Sequence, residues 1–280
     1  MNKYLENLNR IEFVVTMACT GRCIHCSEGE HKSSGKHIDG DIAAQAVIDI
    51  CNNYDIKSLM TFGGEPLIYP EVVCNIHKTA KEMNIKDRAI ITNGFFSKDK
   101  ERVREVAQML SYSGVQKVLL SVDSFHQETI PLDIVKYFAM CIKESGVEIK
   151  LNPAWLVSKE DDNEYNKKTK KIISEFEDLN IPQAKGNVIF PNGNAVKYLS
   201  DYFDKNKEYI NPYEENPIDV RTISFSENGD VLNGNIYEKS IMEIIEEYKV
   251  YYKDTFLFSR NSKTNLVSRG GKGEKRWTNG

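Results

Sequence analysis

The sequence predicts an α/β protein: a partial (β/α)6 barrel of parallel strands, TIM-type, followed by a small C-terminal hairpin-and-helix extension. Two observations carry that expectation. Short β-branched runs alternate with longer amphipathic stretches from residue 11 to about residue 200, the pattern of a parallel sheet with covering helices. The alternation gives six strand–helix units joined by short loops, short of the eight that close a full barrel.

"IEFVVTM" (11–17) reads as the first strand, and "DIAAQAVIDICNNY" (41–54) as a helix with Ile42, Ala46, Val47, Ile50 and Tyr54 near helical spacing. "SLMTF" (58–62) is a strand, and "PEVVCNIHKTAKEM" (70–83) a helix with proline at its first turn. "RAIITN" (88–93) is the third strand, and the helix "KDKERVREVAQMLSYS" follows it. "KVLLSVD" (117–123) precedes the helix "PLDIVKYFAMCIKESG", which Gly146 ends. "VEIKLNPAWL" is the fifth strand, "NEYNKKTKKIISEFEDLN" its helix, and "GNVIF" the sixth strand.

Residues 201–216 are polar and read as a connector. "RTISFSENGDVLNG" reads as a hairpin turning at Asn228-Gly229, and "KSIMEIIEEYKVYY" as a helix. The expected organisation is a barrel over 1–215, an extension over 216–253 and a basic, disordered tail over 254–280.

Composition narrows the function. The chain has 280 residues, 40% apolar and 28% charged, ample for one large core. A net charge of −4 argues against nucleic acid or a membrane as a general partner. The N-terminus "MNKYLENLNR" lacks the apolar stretch of a secretory signal, and no apolar run is long enough to span a bilayer. All six cysteines fall in the first 141 residues and do not resemble a disulfide scaffold. A soluble cytoplasmic protein is expected.

Cys19, Cys23 and Cys26 occupy eight positions just past the first strand. One reading is a structural zinc site, with His25 drafted as a ligand. Such sites favour two separated ligand pairs, and no second pair follows. His25 also adjoins Cys26, so both would struggle to reach one ion. The favoured reading is an iron–sulfur cluster on three thiolates, placed where barrel chemistry sits, at the C-terminal ends of the strands.

C-x3-C-x2-C after the first strand and "GGEP" after the second resemble the radical SAM superfamily, over about residues 11–195. The resemblance implies a [4Fe–4S] cluster held by Cys19, Cys23 and Cys26, with S-adenosylmethionine (SAM) chelating the open iron. It implies reductive SAM cleavage to a 5′-deoxyadenosyl radical that abstracts hydrogen, with electrons from a reductant such as flavodoxin or ferredoxin. Gly63, Gly64 and Glu65 would meet SAM, with Pro66 shaping the turn. Thr92, Asn93, Ser121, Asp123 and Asn152 at later strand ends, with His25, complete the expected cofactor contacts. Ser121 and Asp123 are two apart and so project to one face of a strand. His126, just beyond, is a candidate for contacting substrate as an acid–base group. "FPNGNA" (190–195) resembles a loop bordering the adenine pocket of some members.

Cys51, Cys74 and Cys141 fall on helices, outside the barrel, and read as small buried hydrophobes; no thiol suits the hydrogen donor of an epimerase. "ISFSENGDVLNGNIYEKSIMEII" resembles part of the SPASM extension of peptide- and protein-modifying members. No cysteine follows position 141, so this stretch is expected to hold no auxiliary cluster. The resemblance implies a peptide or protein substrate. A glycyl-radical-enzyme activase and a non-enzymatic zinc or iron–sulfur regulatory module are the alternatives.

Overall fold

The computed structural model describes residues 2–209, 211 and 214–250. The proposed tail lies outside the described residues. The elements that carry the site are β1 (Arg10–Thr16), α1 (Gly40–Cys51), β2 (Ser58–Gly63), α2 (Pro70–Glu82), β3 (Asp87–Thr92), α3 (Lys100–Ser113), β4 (Lys117–Leu120), α4 (Leu132–Glu144) and β5 (Glu148–Leu151). Then come β6 (Ala154–Trp155), α5 (Glu164–Ser174), β7 (Asn187–Val188), α6 (Asn194–Tyr198), β8 (Thr222–Phe225), β9 (Asp230–Val231), β10 (Gly234–Asn235) and α7 (Ile241–Glu247).

Local chemistry sets the boundaries. Ile11, Phe13 and Val15 alternate along β1 and are fully buried, so one face of the strand is committed to the core. Asp39 caps α1 by accepting from the Asp41 and Ile42 amides, and Asp99 caps α3 by accepting from Glu101. Gly114, left-handed at φ 85°, stops α3. Ser240 and Glu243 form a reciprocal capping box at α7.

The main sheet has six strands in the order β5-β4-β3-β2-β1-β8, and every pairing in it is parallel. Helices cover it, as a partial barrel requires. One core packs α1, α7 and the N-terminal Leu5 and Leu8 on β1, β2 and β8. A second packs α3 and α4 against β3, β4 and β5.

The sixth strand of this sheet is not the expected "GNVIF". It is β8, from the stretch read as a hairpin, paired Arg10↔Thr222 to Phe13↔Phe225 with β1. Of "GNVIF" only Asn187–Val188 is a strand, paired with β6 in a separate ladder. The cause lies at Pro153. Proline has no N–H to give to a ladder, so the expected fifth strand breaks into β5 and β6. Residues 183–188 track that broken strand through a Leu151↔Gln183 bridge and the β6–β7 pair. The hairpin also differs: β9 and β10 form it, turning at Leu232-Asn233, while Ser226–Gly229 is a separate turn closed by the Gly229 amide on the Ser226 carbonyl. The fifth helix ends at Ser174, ahead of a 3-10 turn at Glu177–Leu179. No helix among the described residues is long and apolar enough to cross a membrane.

Candidate functional site

A cleft of about 200 Å³ opens at the C-terminal ends of the strands. Cys19, Cys23, His25, Cys26, Gly63, Gly64, Thr92, Asn93, Ser121, His126 and Asn152 all line it. They come from the last residues of β2 and β3 and the loops after β1, β2, β3, β4 and β5, so a parallel sheet brings together residues up to 133 positions apart.

The loop after β1 carries the thiols. The Gly21 amide donates to Cys19 Sγ at 3.4 Å. A Cβ on Gly21 would lie 3.3 Å from Cys23 Sγ and 3.7 Å from Cys19 Sγ, so glycine keeps the space between two sulfurs clear. Burial, then the Glu65 carboxylate, push the Cys19 thiol up to about 11. Burial raises Cys23 most, with Asp123, Cys19 and Cys26 adding to it. Burial likewise raises Cys26. Three thiols crowded together with little positive charge resist ionising.

Glu65, Pro66 and Asp123 lie behind the cleft surface. Glu65 Oε1 accepts from the Thr92 hydroxyl at 2.7 Å and the Leu67 amide at 2.9 Å. Its Oε2 accepts from the Asn93 amide at 2.8 Å. Burial pushes Glu65 up to about 7 against those three hydrogen bonds. Pro66 is buried and starts a 3-10 turn over Pro66–Ile68.

The two glycines before Glu65 serve the fold directly. A Cβ on Gly63 would stand 2.4 Å from the Thr16 carbonyl oxygen, and one on Gly64 2.2 Å from that of Ala18. Their absence lets Gly64 and Glu65 donate to Thr16 and Ala18, each at 2.7 Å, which ties the rim of β2 to the root of the cysteine loop.

Asn93 Oδ1 accepts from the Phe95 amide at 2.8 Å. That fixes the amide's orientation and sends Nδ2 toward Cys19 Sγ at 3.6 Å and Thr20 Oγ1 at 3.3 Å. Ser121 and Asp123 do not share one strand face, because β4 ends at Leu120. Ser121 faces the cleft, whereas Asp123 turns inward to accept from the amides of Phe125, His126 and Ala154 and from His126 Nδ1 at 2.8 Å. Burial opposes ionisation of Asp123, but His126, His25 and the Ala154 amide outweigh it and hold the carboxyl well below the usual range. Burial, aided by His126, lowers His25 to about 4.

Sequence reasoning missed the clamp on the cysteine loop. The Asn194 amide donates to the Cys26 carbonyl at 2.9 Å, and its side chain donates to the carbonyls of Cys23 and Gly29 at 3.1 and 3.2 Å. Asn192 Nδ2 reaches the Ser27 carbonyl at 3.2 Å. Gly193, at φ 53°, lets the two backbones touch; its Cβ would lie 2.4 Å from the Ser27 oxygen. "FPNGNA" was legible only as resembling a loop that borders the adenine pocket, and its contacts with the cysteine loop were not. His31 was missed as well. Its Nδ1 lies 2.8 Å from the Met17 carbonyl oxygen and its Nε2 3.1 Å from Cys26 Sγ.

Residues 13–150 match the family model described as "Radical SAM superfamily". These residues form a radical SAM domain. It is similar to a "GTP 3',8-cyclase" of Clostridium perfringens (strain 13 / Type A), 24% identical over 278 residues that cover 95% of this chain and 71% of the relative. A "GTP 3',8-cyclase" of Desulforamulus reducens is 28% identical over 131 residues, 46% of this chain and 38% of the relative. Among solved structures, "Native anSMEcpe with bound AdoMet and Cp18Cys peptide" superposes with a TM-score of 0.54 at 17% identity, covering 89% of this chain and 85% of that one.

Radical SAM enzymes use a [4Fe–4S] cluster and SAM, and the donor set here fits both. Three thiols raised by burial, two of them, Cys19 and Cys23, also by neighbouring thiols, call for a cationic group to hold them as thiolates. Cys19, Cys23 and Cys26 would hold the cluster. Gly63, Gly64, Thr92, Asn93, Ser121 and Asn152 border the space beside the sulfurs, where SAM would lie.

Proposed function

We propose that this radical SAM enzyme acts on a side chain of a peptide or protein, with flavodoxin or ferredoxin as its electron source. When bound, the reduced cluster and SAM supply a 5′-deoxyadenosyl radical for hydrogen abstraction. The chain's own part is to place substrate and keep water out. The β1–β2 rim fixes the thiols through the Gly64 and Glu65 amides. The opposite wall, Asn187 to Phe190, presents the substrate.

The observation that carries the substrate reading is the charge of the cleft. Among the described residues, those lining it include no lysine or arginine; its basic side chains are His25, His31 and His126. A triphosphate calls for bidentate arginine or clustered lysine. Val188, half exposed, with Ile189 and Phe190, gives the far wall an apolar surface suited to a side chain. The similarity to the GTP 3',8-cyclases supports a second reading, in which GTP is the substrate.

Reduced enzyme incubated with SAM and either deuterated peptides or deuterated GTP separates the two. Deuterium in 5′-deoxyadenosine from a peptide is the expected result. Transfer from GTP, with none from any peptide, replaces the first reading by the second.

A further inference from the structure

A second metal-binding arrangement shares one thiol with the cluster site. Cys23, His25 and His126 bring one sulfur and one nitrogen from each ring within 4.8 Å of one another. Two belong to the loop after β1 and the third to the loop after β4. His25 Nδ1 is buried with no hydrogen-bond partner among the protein atoms, an unmet site that a bound ion or an ordered water would satisfy. His126 is bound through Nδ1 to Asp123 Oδ2 at 2.8 Å, which leaves Nε2 as its free donor atom. A carboxylate behind one ring nitrogen is the support that orients metal-binding histidines. Asp123 is itself fixed by the amides of Phe125, His126 and Ala154.

We propose that the cluster-free protein binds one divalent cation of the zinc class through Cys23, His25 and His126, and that this ion and the [4Fe–4S] cluster exclude each other because both need Cys23. Thiolate and imidazole suit that class of metal, with bonds of about 2.0–2.3 Å and water in the fourth position. The other two thiols have polar partners of their own. Cys19 Sγ accepts from the Gly21 backbone amide and from Asn93 Nδ2, and Cys26 Sγ lies 3.1 Å from His31 Nε2. The arrangement is independent of the substrate reading.

The test uses the full chain, stripped of iron anaerobically and titrated with Co²⁺, with Zn²⁺ as competitor. One Co²⁺ per chain, with thiolate-to-cobalt charge-transfer absorption, is expected. The double variant Cys19→Ala/Cys26→Ala retains that spectrum, and Cys23→Ala loses it. His25→Gln and His126→Gln each weaken binding by about tenfold or more, and if His25→Gln fails to fold by near-ultraviolet circular dichroism, His126→Gln decides. Binding lost in the double variant but unchanged in His126→Gln assigns the metal to the three thiols and overturns the proposal. Absence of stoichiometric binding overturns it too. Zinc-loaded chain should resist iron–sulfide reconstitution; full reconstitution at saturating zinc removes the claim of exclusion.

Discussion

The wall of the cleft built from β1 to β4 and the wall built from residues 152–199 hold the same cavity by different means. On the first, four strands pair in parallel, with a register shift between Val14 and Thr16 where β1 meets the end of β2, and Gly63 and Gly64 there press backbone on backbone. On the second, the strands β6 and β7 are two residues each, and side-chain amides replace the ladder. Asn166 alone accepts from the Leu156 amide and donates to the carbonyls of Leu156, Ser158 and Asp161. Its packing is a small satellite cluster around Phe125, Leu156 and Leu199. The difference teaches where change is tolerated. Ladder and glycine contacts fail all at once, whereas amide-tethered loops can be re-cut around a new substrate without disturbing the cofactor side.

The sharpest way to break the first wall is Cys23→Ala. It should abolish both cluster assembly and SAM cleavage, read by iron content and 5′-deoxyadenosine release. Gly64→Ala comes next. A Cβ placed 2.2 Å from a backbone oxygen forces the β1 and β2 ends apart, at about 3 kcal/mol by the usual cost of overpacking. Urea unfolding should show that loss, and the Gly21→Ala variant, which meets only side-chain atoms at 3.1 Å and beyond, should show less.

Acid should weaken the first wall through His77 on α2, which is fully buried with Nε2 3.0 Å from Thr61 Oγ1. Burial, then Arg88, lower His77 to about 3. An unfolded histidine titrates near 6.5, so the unfolded chain takes up the proton first. The contribution of His77 is complete above pH 6.5 and falls as pH drops toward 3. Between pH 7 and pH 4 stability should drop by about 3 kcal/mol from this group, and His77→Leu should flatten that part of the profile.

On the second wall Asn194→Ala should cost about 1–2 kcal/mol for the lost amide bonds, leave far-ultraviolet circular dichroism unchanged, and speed iron release to a chelator. The smallest effect belongs to Lys197→Ala. Its pair with Glu30 at 2.8 Å is exposed, and such pairs contribute little, so the melting temperature should not move measurably.

The two walls also differ in how far the sequence foretold them. β1 to β4 and α1 to α4 were legible within a few residues, because β-branched runs, helical spacing of apolar residues, the proline opening α2 and Gly146 closing α4 are local signals. The thiols and "GGEP" were legible as a motif at matched strand ends. What sequence missed depends on distant partners. Leu5 and Leu8 sit in a polar-looking segment yet are buried. Asp123 looked like a cofactor contact, but its acceptors are filled by donors 2 to 31 residues away. Pro153 was visible, yet its effect on the sixth unit needed the register. Asn194 was read only as part of a loop resembling one at the adenine pocket, since its three carbonyl partners lie more than 160 positions upstream.

The pairing of β8 with β1 has a consequence for synthesis. Arg10 meets Thr222 across the sheet edge, so one side of β1 has no neighbour while roughly the first 220 residues emerge from the ribosome. That edge is an exposed template for mispairing until the last strand arrives, and a chain released early at residue 215 would carry it permanently.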